Sequence, residues 1–304
     1  MMKTLPLSFA LTAIMASSAF AATSGSHYPI GGEGVMAGTP PPPGVHYRMY
    51  NTWYSADKLT DNNGDDTGLD VDIDAYVQLH RLVHVTDKKL FGANWAYNVI
   101  VPMVHEKFSS NALGIHDNTS FSLGDVVLEP LALFWYGEEF DACLGLAAIA
   151  PTGDYDAHDA ASAGMGFWSG MLTLGGTYYM GDNRSWSASI LTRTIYNGKQ
   201  DDTNIRPGAE FAVEGGIGKQ FALNDRWLAR PGISYGASWQ ISDDSKDAPG
   251  VVADHHKESY SVGAELNLMY LPWHLQGNLR YATEFGAKNT SEGSSVVFTL
   301  TKSF

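Results

Sequence analysis

Cysteine is nearly absent. Cys143 stands alone, so no disulfide can form within the chain, and hydrogen-bonded ladders and packing must hold the fold. Charged residues, at 17%, are too few for an ordinary water-soluble surface. Basic residues are the scarcer sign, and the formal net charge of −14 excludes nucleic acid as a partner. Past the N-terminus no apolar run reaches the roughly 18 residues a membrane-spanning helix needs. The G-x-S-x-G turn of serine hydrolases is missing. His158 and the pair His255-His256 have no thiols and no ligand spacing for zinc. Asp61-Asn62-Asn63-Gly64-Asp65-Asp66 is rich in oxygen, but Asp66 stands where an EF-hand needs glycine. No catalytic residue, metal or cofactor is therefore expected.

What is present points to export. Residues 1–21 read as a signal peptide: Lys3 leads, an apolar run follows from Leu5 to Met15, and Ala19-Phe20-Ala21 is a small-x-small cleavage site. No cysteine follows to carry a lipid anchor. Residues 22–44 are rich in Gly and Pro. They cannot ladder in mid-sheet and are expected as a periplasmic lead-in or a plug across a barrel mouth. No strand precedes this glycine run, so it is not a phosphate loop.

Residues 45–304 read as an all-β, up-and-down antiparallel transmembrane β-barrel of about 12 strands. The candidate strands are 45–58, 69–83, 91–106, 122–137, 140–150, 167–180, 185–198, 208–221, 227–241, 257–271, 273–286 and 294–304. Connections between them alternate, long at 59–68, 107–121, 151–166, 199–207, 242–256 and 287–293, short elsewhere. Outer-membrane barrels have short periplasmic turns and long outer loops, whereas a soluble sandwich has no reason to alternate. Along 257–271, Tyr260, Val262, Ala264, Leu266 and Leu268 oppose Ser261, Gly263, Glu265 and Asn267, the period-2 pattern of a two-faced strand. Aromatics gather at strand ends. Trp95, Trp135, Trp186, Trp227 and Trp273 lie beside short turns, and Phe304 closes the last strand, as an interfacial girdle requires. Three prolines fall within strands, Pro102, Pro130 and Pro231, and ladder breaks are expected there.

The inward phase of these strands collects Glu129, Arg193, Glu210, Glu214, Arg230, Glu265, His274, Arg280 and Glu284, with Asp72, Asp74 and His80 beside them. So many charges in a narrow lumen require pairing or water. They are the candidates for lumen and selectivity residues, or else they brace a filled barrel. For Arg280, strand phase offers Glu265 or Glu284 as partner.

Several stretches carry a family resemblance: "HYPIGGEGVMAGTPPPPG" at 27–44, "WYSADKLTDNNG" at 53–64, "LGDVVLEPL" at 123–131, "APTGDYD" at 150–156 and "GMGFWSGMLTLGGTYY" at 164–179. Together they resemble the outer-membrane family named for the meta-pathway of phenol degradation. Members are described as transporters tied to the breakdown of aromatic compounds. The resemblance implies an outer-membrane channel for small apolar or aromatic solutes, and no catalytic residues. The expected surroundings are outer-membrane lipid and lipopolysaccharide, with the barrel-assembly machinery engaging the Phe304 strand. A filled-lumen structural or surface-interaction barrel is the alternative, and an outer-membrane lipid-hydrolysing enzyme the third reading.

Overall fold

The computed structural model describes residues 26–203, 205–245 and 255–304; the signal peptide expected at 1–21 lies outside them. Within the described residues the chain forms one closed antiparallel sheet of twelve strands. They are β1 (Gly44–Leu59), β2 (Val71–Leu90), β3 (Ala93–Ser110), β4 (Val126–Tyr136), β5 (Phe140–Ala150) and β6 (Ser169–Met180). The remainder are β7 (Trp186–Asn197), β8 (Glu210–Lys219), β9 (Trp227–Gln240), β10 (Glu258–Tyr270), β11 (Leu275–Lys288) and β12 (Ser291–Ser303). Each strand pairs with its sequence neighbours, and β12 closes on β1 with Met49 opposite Leu300. Closure leaves no open edge, so every ladder donor within the bilayer can find an acceptor. Three short pieces extend the frame: Ile115–Asn118 and Ser122–Leu123 pair with β3, and Phe221–Asn224 continues β8 beyond Gln220.

All three prolines coincide with breaks in the ladder. The β3–β4 ladder stops at Ile100 and pairing resumes at Met103, so Pro102 falls in the gap. Pro130 lies in the irregularity between Leu128 and Leu131 of the β4–β5 pairing. Pro231 sits opposite the Gln220 break in β8, where pairing jumps from Gly218–Gly232 to Phe221–Ala229. A residue without an N–H leaves its partner strand nothing to accept from, and the ladder yields there.

The outward face is apolar and exposed: Leu82, Leu146, Leu174, Ile190, Ile217, Ile233 and Leu279 form a belt suited to lipid. Aromatic rings bound it. On the short-turn side stand Trp186, Trp227, Trp273 and Phe304, with Trp95 and Trp135 half-buried and donating to the carbonyls of Pro130 and Phe91. On the other side stand Trp53, Trp168, Tyr196 and Phe285. Lys302 reaches from this apolar phase to the Trp273 carbonyl and over the Phe304 ring, keeping its charge at the interface.

Two expectations need correction. The sixth outer connection is no loop, because β11 and β12 run on until only Asn289 and Thr290 join them, Asn289 having the positive φ a two-residue turn demands. In β2 the phase is opposite to that expected. Val71, Ile73 and Ala75 are buried inside while Asp72 and Asp74 are exposed, and His80 shares their outward phase, bonded to Tyr47 and Gln78. At this outer end of β2 the inward side chains pack with Tyr54, Phe108 and Ala161 in an apolar cluster, which leaves the outward side to Asp72 and Asp74.

Candidate functional site

Residues 26–43 thread the lumen from the outer loops to the short-turn end. Of residues 22–44 only Glu33 bears a formal charge, and the inner charges are arranged around it. Its carboxylate accepts from Arg48 and Arg81 at 3.0 Å each, from Arg193 at 3.2 Å and from the Tyr50 hydroxyl at 3.1 Å. Its backbone N–H donates to Glu214, which in turn holds Arg193 at 3.2 Å. Arg48 and Arg81 are directly opposed across β1 and β2. Like charges in that position repel unless an anion sits between them, and Glu33 is that anion.

A second pair lies beside the first. Arg280, 1% exposed, bonds Glu265 at 3.1 Å and the Gly32 carbonyl at 2.7 Å. Of the two carboxylates open to it by strand phase, Glu265 takes it; Glu284 accepts instead from Tyr54 and the Gly293 N–H. Glu129 is held by Asn98 and lies 3.9 Å from Arg81. Arg193, Glu214, Glu265, Arg280 and Glu129 thus converge on the inner segment. Arg230 lies apart, donating to Gln220 at the β8 break, and Glu210 sits half-buried at the outer end of β8. His274 is a correction. It follows the Leu271–Trp273 turn with φ of 48° and is exposed, because the turn takes one residue more than period 2 allows and β11 starts only at Leu275.

Glu33, Arg48 and Arg81 were not among the expected site residues. The signal was there: a lone acid in a Gly/Pro segment, and arginines that align once β1 and β2 are put in register.

The inner segment lies against one wall. Gly34 has φ of +71° and no room for a side chain, since a Cβ would stand 2.0 Å from both Arg280 Nη1 and Glu265 Oε2. Val35, fully buried, packs on Gly216 and Gly232, its carbonyl taking the Ser189 hydroxyl at 2.9 Å. Thr39 meets Thr177 at 2.7 Å, and a Cβ on Gly38 would strike the Gly176 carbonyl. Bare backbone on β6, β8 and β9 lets the segment approach this closely.

The opposite wall is spaced away from it and leaves two cavities. The outer one, of about 170 Å³, is mostly apolar, lined by Val77, Leu79, Ile100, Val104, Ile149 and Met171. The inner one, of about 80 Å³, is lined by Met36, Val83, Phe134, Cys143, Thr173 and Arg81. Glu33 and Arg193 border both. An outer loop closes the first cavity from above. Ala163 and Met165 of this loop line the cavity, while its Ala161 packs with Tyr54, Ile73 and Phe108.

The loop is tied to the segment's tip. His27 lies 2.9 Å from Asp125, whose carboxylate also accepts from the N–H groups of Gly153 and Met165. The other nitrogen of His27 meets Ser169 at 2.9 Å. The three groups have the composition of a hydrolase triad, but Ser169 donates its hydroxyl to Asn197 at 2.7 Å. A hydroxyl already committed elsewhere is not poised to give its proton to histidine. Outside the barrel the Asp61 carboxyl accepts from the N–H of Asn63 and of Asp65, which hold it below the usual carboxylate range; it braces its own loop.

Comparison with known proteins places this fold. A family described as "Putative MetA-pathway of phenol degradation" matches residues 56–300. The COG4313 outer membrane channel from Pseudomonas putida F1 is similar in structure, with a TM-score of 0.74 and 16% identity, covering 92% of this chain and 100% of that one. The translocator domain of the autotransporter NalP from Neisseria meningitidis is similar at a TM-score of 0.46 and 8% identity, over 88% of this chain and 90% of that one. Comparison with curated proteins gives no match.

Proposed function

The chain belongs to the phenol meta-pathway family of outer-membrane barrels, and on that premise we propose that it passes small apolar or aromatic molecules inward across the outer membrane. One observation carries this reading: an apolar cavity and a smaller inner one lie in series along the lumen and meet at Glu33 and Arg193. An apolar cavity of about 150 Å³ takes up benzene, so the outer one suits a single aromatic ring. A solute entering beneath the outer loop would rest there, with its onward path barred by the inner segment and its ion pairs at Glu33. We read that segment as a stopper whose shift connects the two cavities.

The structural reading has an observation of its own, since Arg280 and Glu265, which line neither cavity, brace the inner segment at the Gly32 carbonyl. Bracing and passage are compatible when they occupy opposite walls. The enzyme reading has no free nucleophile to rest on among His27, Asp125 and Ser169.

Uptake of ring-labelled toluene by intact Gram-negative cells tests the proposal. Cells carrying the barrel should take it up faster than cells without it, and Leu79→Trp, which fills the outer cavity, should abolish the gain. Equal rates with and without the barrel would refute it.

A further inference from the structure

We propose that the solutes this barrel favours carry a single carboxylate on their apolar body, and that this carboxylate exchanges with Glu33 on Arg48, Arg81 and Arg193. The inference rests on the uptake reading above and names its substrate class.

The first ground is charge balance. Around the junction of the cavities stand three arginines, Arg48, Arg81 and Arg193, and three carboxylates, Glu33, Glu129 and Glu214. Two of those carboxylates are on strands of the barrel. Glu33 alone is on the inner segment. When that segment shifts, the junction is left with one surplus positive charge on guanidinium groups that are at most 30% exposed. Stranding a buried guanidinium without its partner is among the costlier events in a protein interior. A neutral solute offers nothing to offset it. A monoanion replaces Glu33 like for like, so it lowers the cost of opening.

The second ground is unused donors. Among the described residues, no acceptor meets the buried Nε–H of Arg81, the Nε–H of Arg193 or the Thr173 hydroxyl. All three residues line the inner cavity. Arg193 and Thr173 are each more than nine-tenths buried. Buried donors without partners are rare because leaving them so is costly. A wholly apolar occupant would leave them unmet, whereas a carboxylate has lone pairs for several. The guanidinium planes also suit the two oxygens of a carboxylate better than a single hydroxyl.

The third ground is shape. The outer cavity is mostly apolar with a floor that includes Arg193 and Glu33, and the Tyr28 ring, which also lines it, stacks on the Arg193 guanidinium at 4.0 Å. A solute with its ring among Leu79, Ile100 and Met171 would point its polar end at that floor. Ring above and charge below is the order in which an aryl carboxylate meets these walls.

The test is equilibrium binding to the full-length barrel in lipid nanodiscs at neutral pH, with empty discs subtracted. Phenylacetate and 2-phenylethanol are the probes, alike in ring and size and differing in the charged group. The readout is the ratio of their dissociation constants. The expectation is about tenfold in favour of phenylacetate, widened about tenfold again by Glu33→Gln, which removes the internal competitor, and collapsed towards one by Arg81→Gln. A ratio near one in the unaltered barrel would overturn the carboxylate claim and leave the uptake of apolar solutes standing. Binding of neither probe would overturn both. Should Arg81→Gln fail to assemble, the unaltered barrel and Glu33→Gln decide the matter, since Glu33 lies outside the strands.

Discussion

Two walls of one lumen are built on opposite plans. On β6, β8 and β9 the inward surface is bare backbone at Gly176, Gly216 and Gly232, and Val35 and Gly38 of the inner segment pack directly on it. On β1 to β5 the inward surface carries Leu79, Ile100 and Ile149 above and Arg48 and Arg81 below, and it meets the segment through these two guanidinium groups on Glu33, with a cavity to either side. The first wall sets where the segment sits. The second sets what can share the lumen with it. Filled and open are therefore not rival descriptions of this barrel, because each describes one side.

The strongest challenge to that contrast is at Gly34. A side chain there has nowhere to go but into the Arg280–Glu265 pair, and its φ is one that β-branched residues avoid. Gly34→Val should push the segment off its wall while leaving the strands intact. Single-channel conductance in planar bilayers should rise several-fold with heat-modifiable gel migration unchanged; an unaltered conductance would mean the segment is not moulded as described.

Next in size is Arg280→Ala. Removing this guanidinium strands Glu265 at 6% exposure, and breaking a buried pair on one side costs about 3–5 kcal/mol. The heat needed to unfold the barrel on gels should fall clearly, with little change in ion selectivity. A selectivity change without loss of stability would move Arg280 from the bracing wall to the passage.

On the other wall, Leu79→Trp should weaken binding of single-ring solutes by about tenfold or more, as filling an apolar site does, and leave thermal stability near that of the unaltered barrel. Smallest of all is Asp61→Ala. It loosens one exposed loop, so the midpoint of a denaturation series should stay close to that of the unaltered barrel.

Sequence shows the frame far better than the lumen. Strand number and girdle aromatics follow from period-2 alternation and from aromatic position, both local properties, whereas the short connection expected at 84–90 belongs to β2 and the turn falls at 91–92. Prolines 102, 130 and 231 mark ladder breaks for an equally local reason. The phase of β2 was misread because alternation alone does not tell which face is lipid. Val71, Ile73 and Ala75 look like a lipid face, and only their packing with Tyr54, Phe108 and the outer loop's Ala161 explains why they point inward. The Glu33 cluster was missed because it depends on residues 26–43 lying inside the barrel, a long-range fact with no periodic trace. Arg280 and Glu265 were legible because adjacent strands place them opposite one another.

Everything proposed about passage depends on the inner segment moving, and one disulfide tests that most directly. Thr39 of the segment and Thr177 of β6 have their hydroxyl oxygens 2.7 Å apart. Cysteines at both positions, with Cys143→Ala to remove the native thiol, would tether the segment to the glycine wall. Uptake of a labelled aromatic solute would then be measured with the tether oxidised and again after reduction. A movable stopper predicts slow uptake when oxidised and recovery to the unaltered rate when reduced. Equal uptake in the two states would contradict it and leave the segment as a fixed part of the wall.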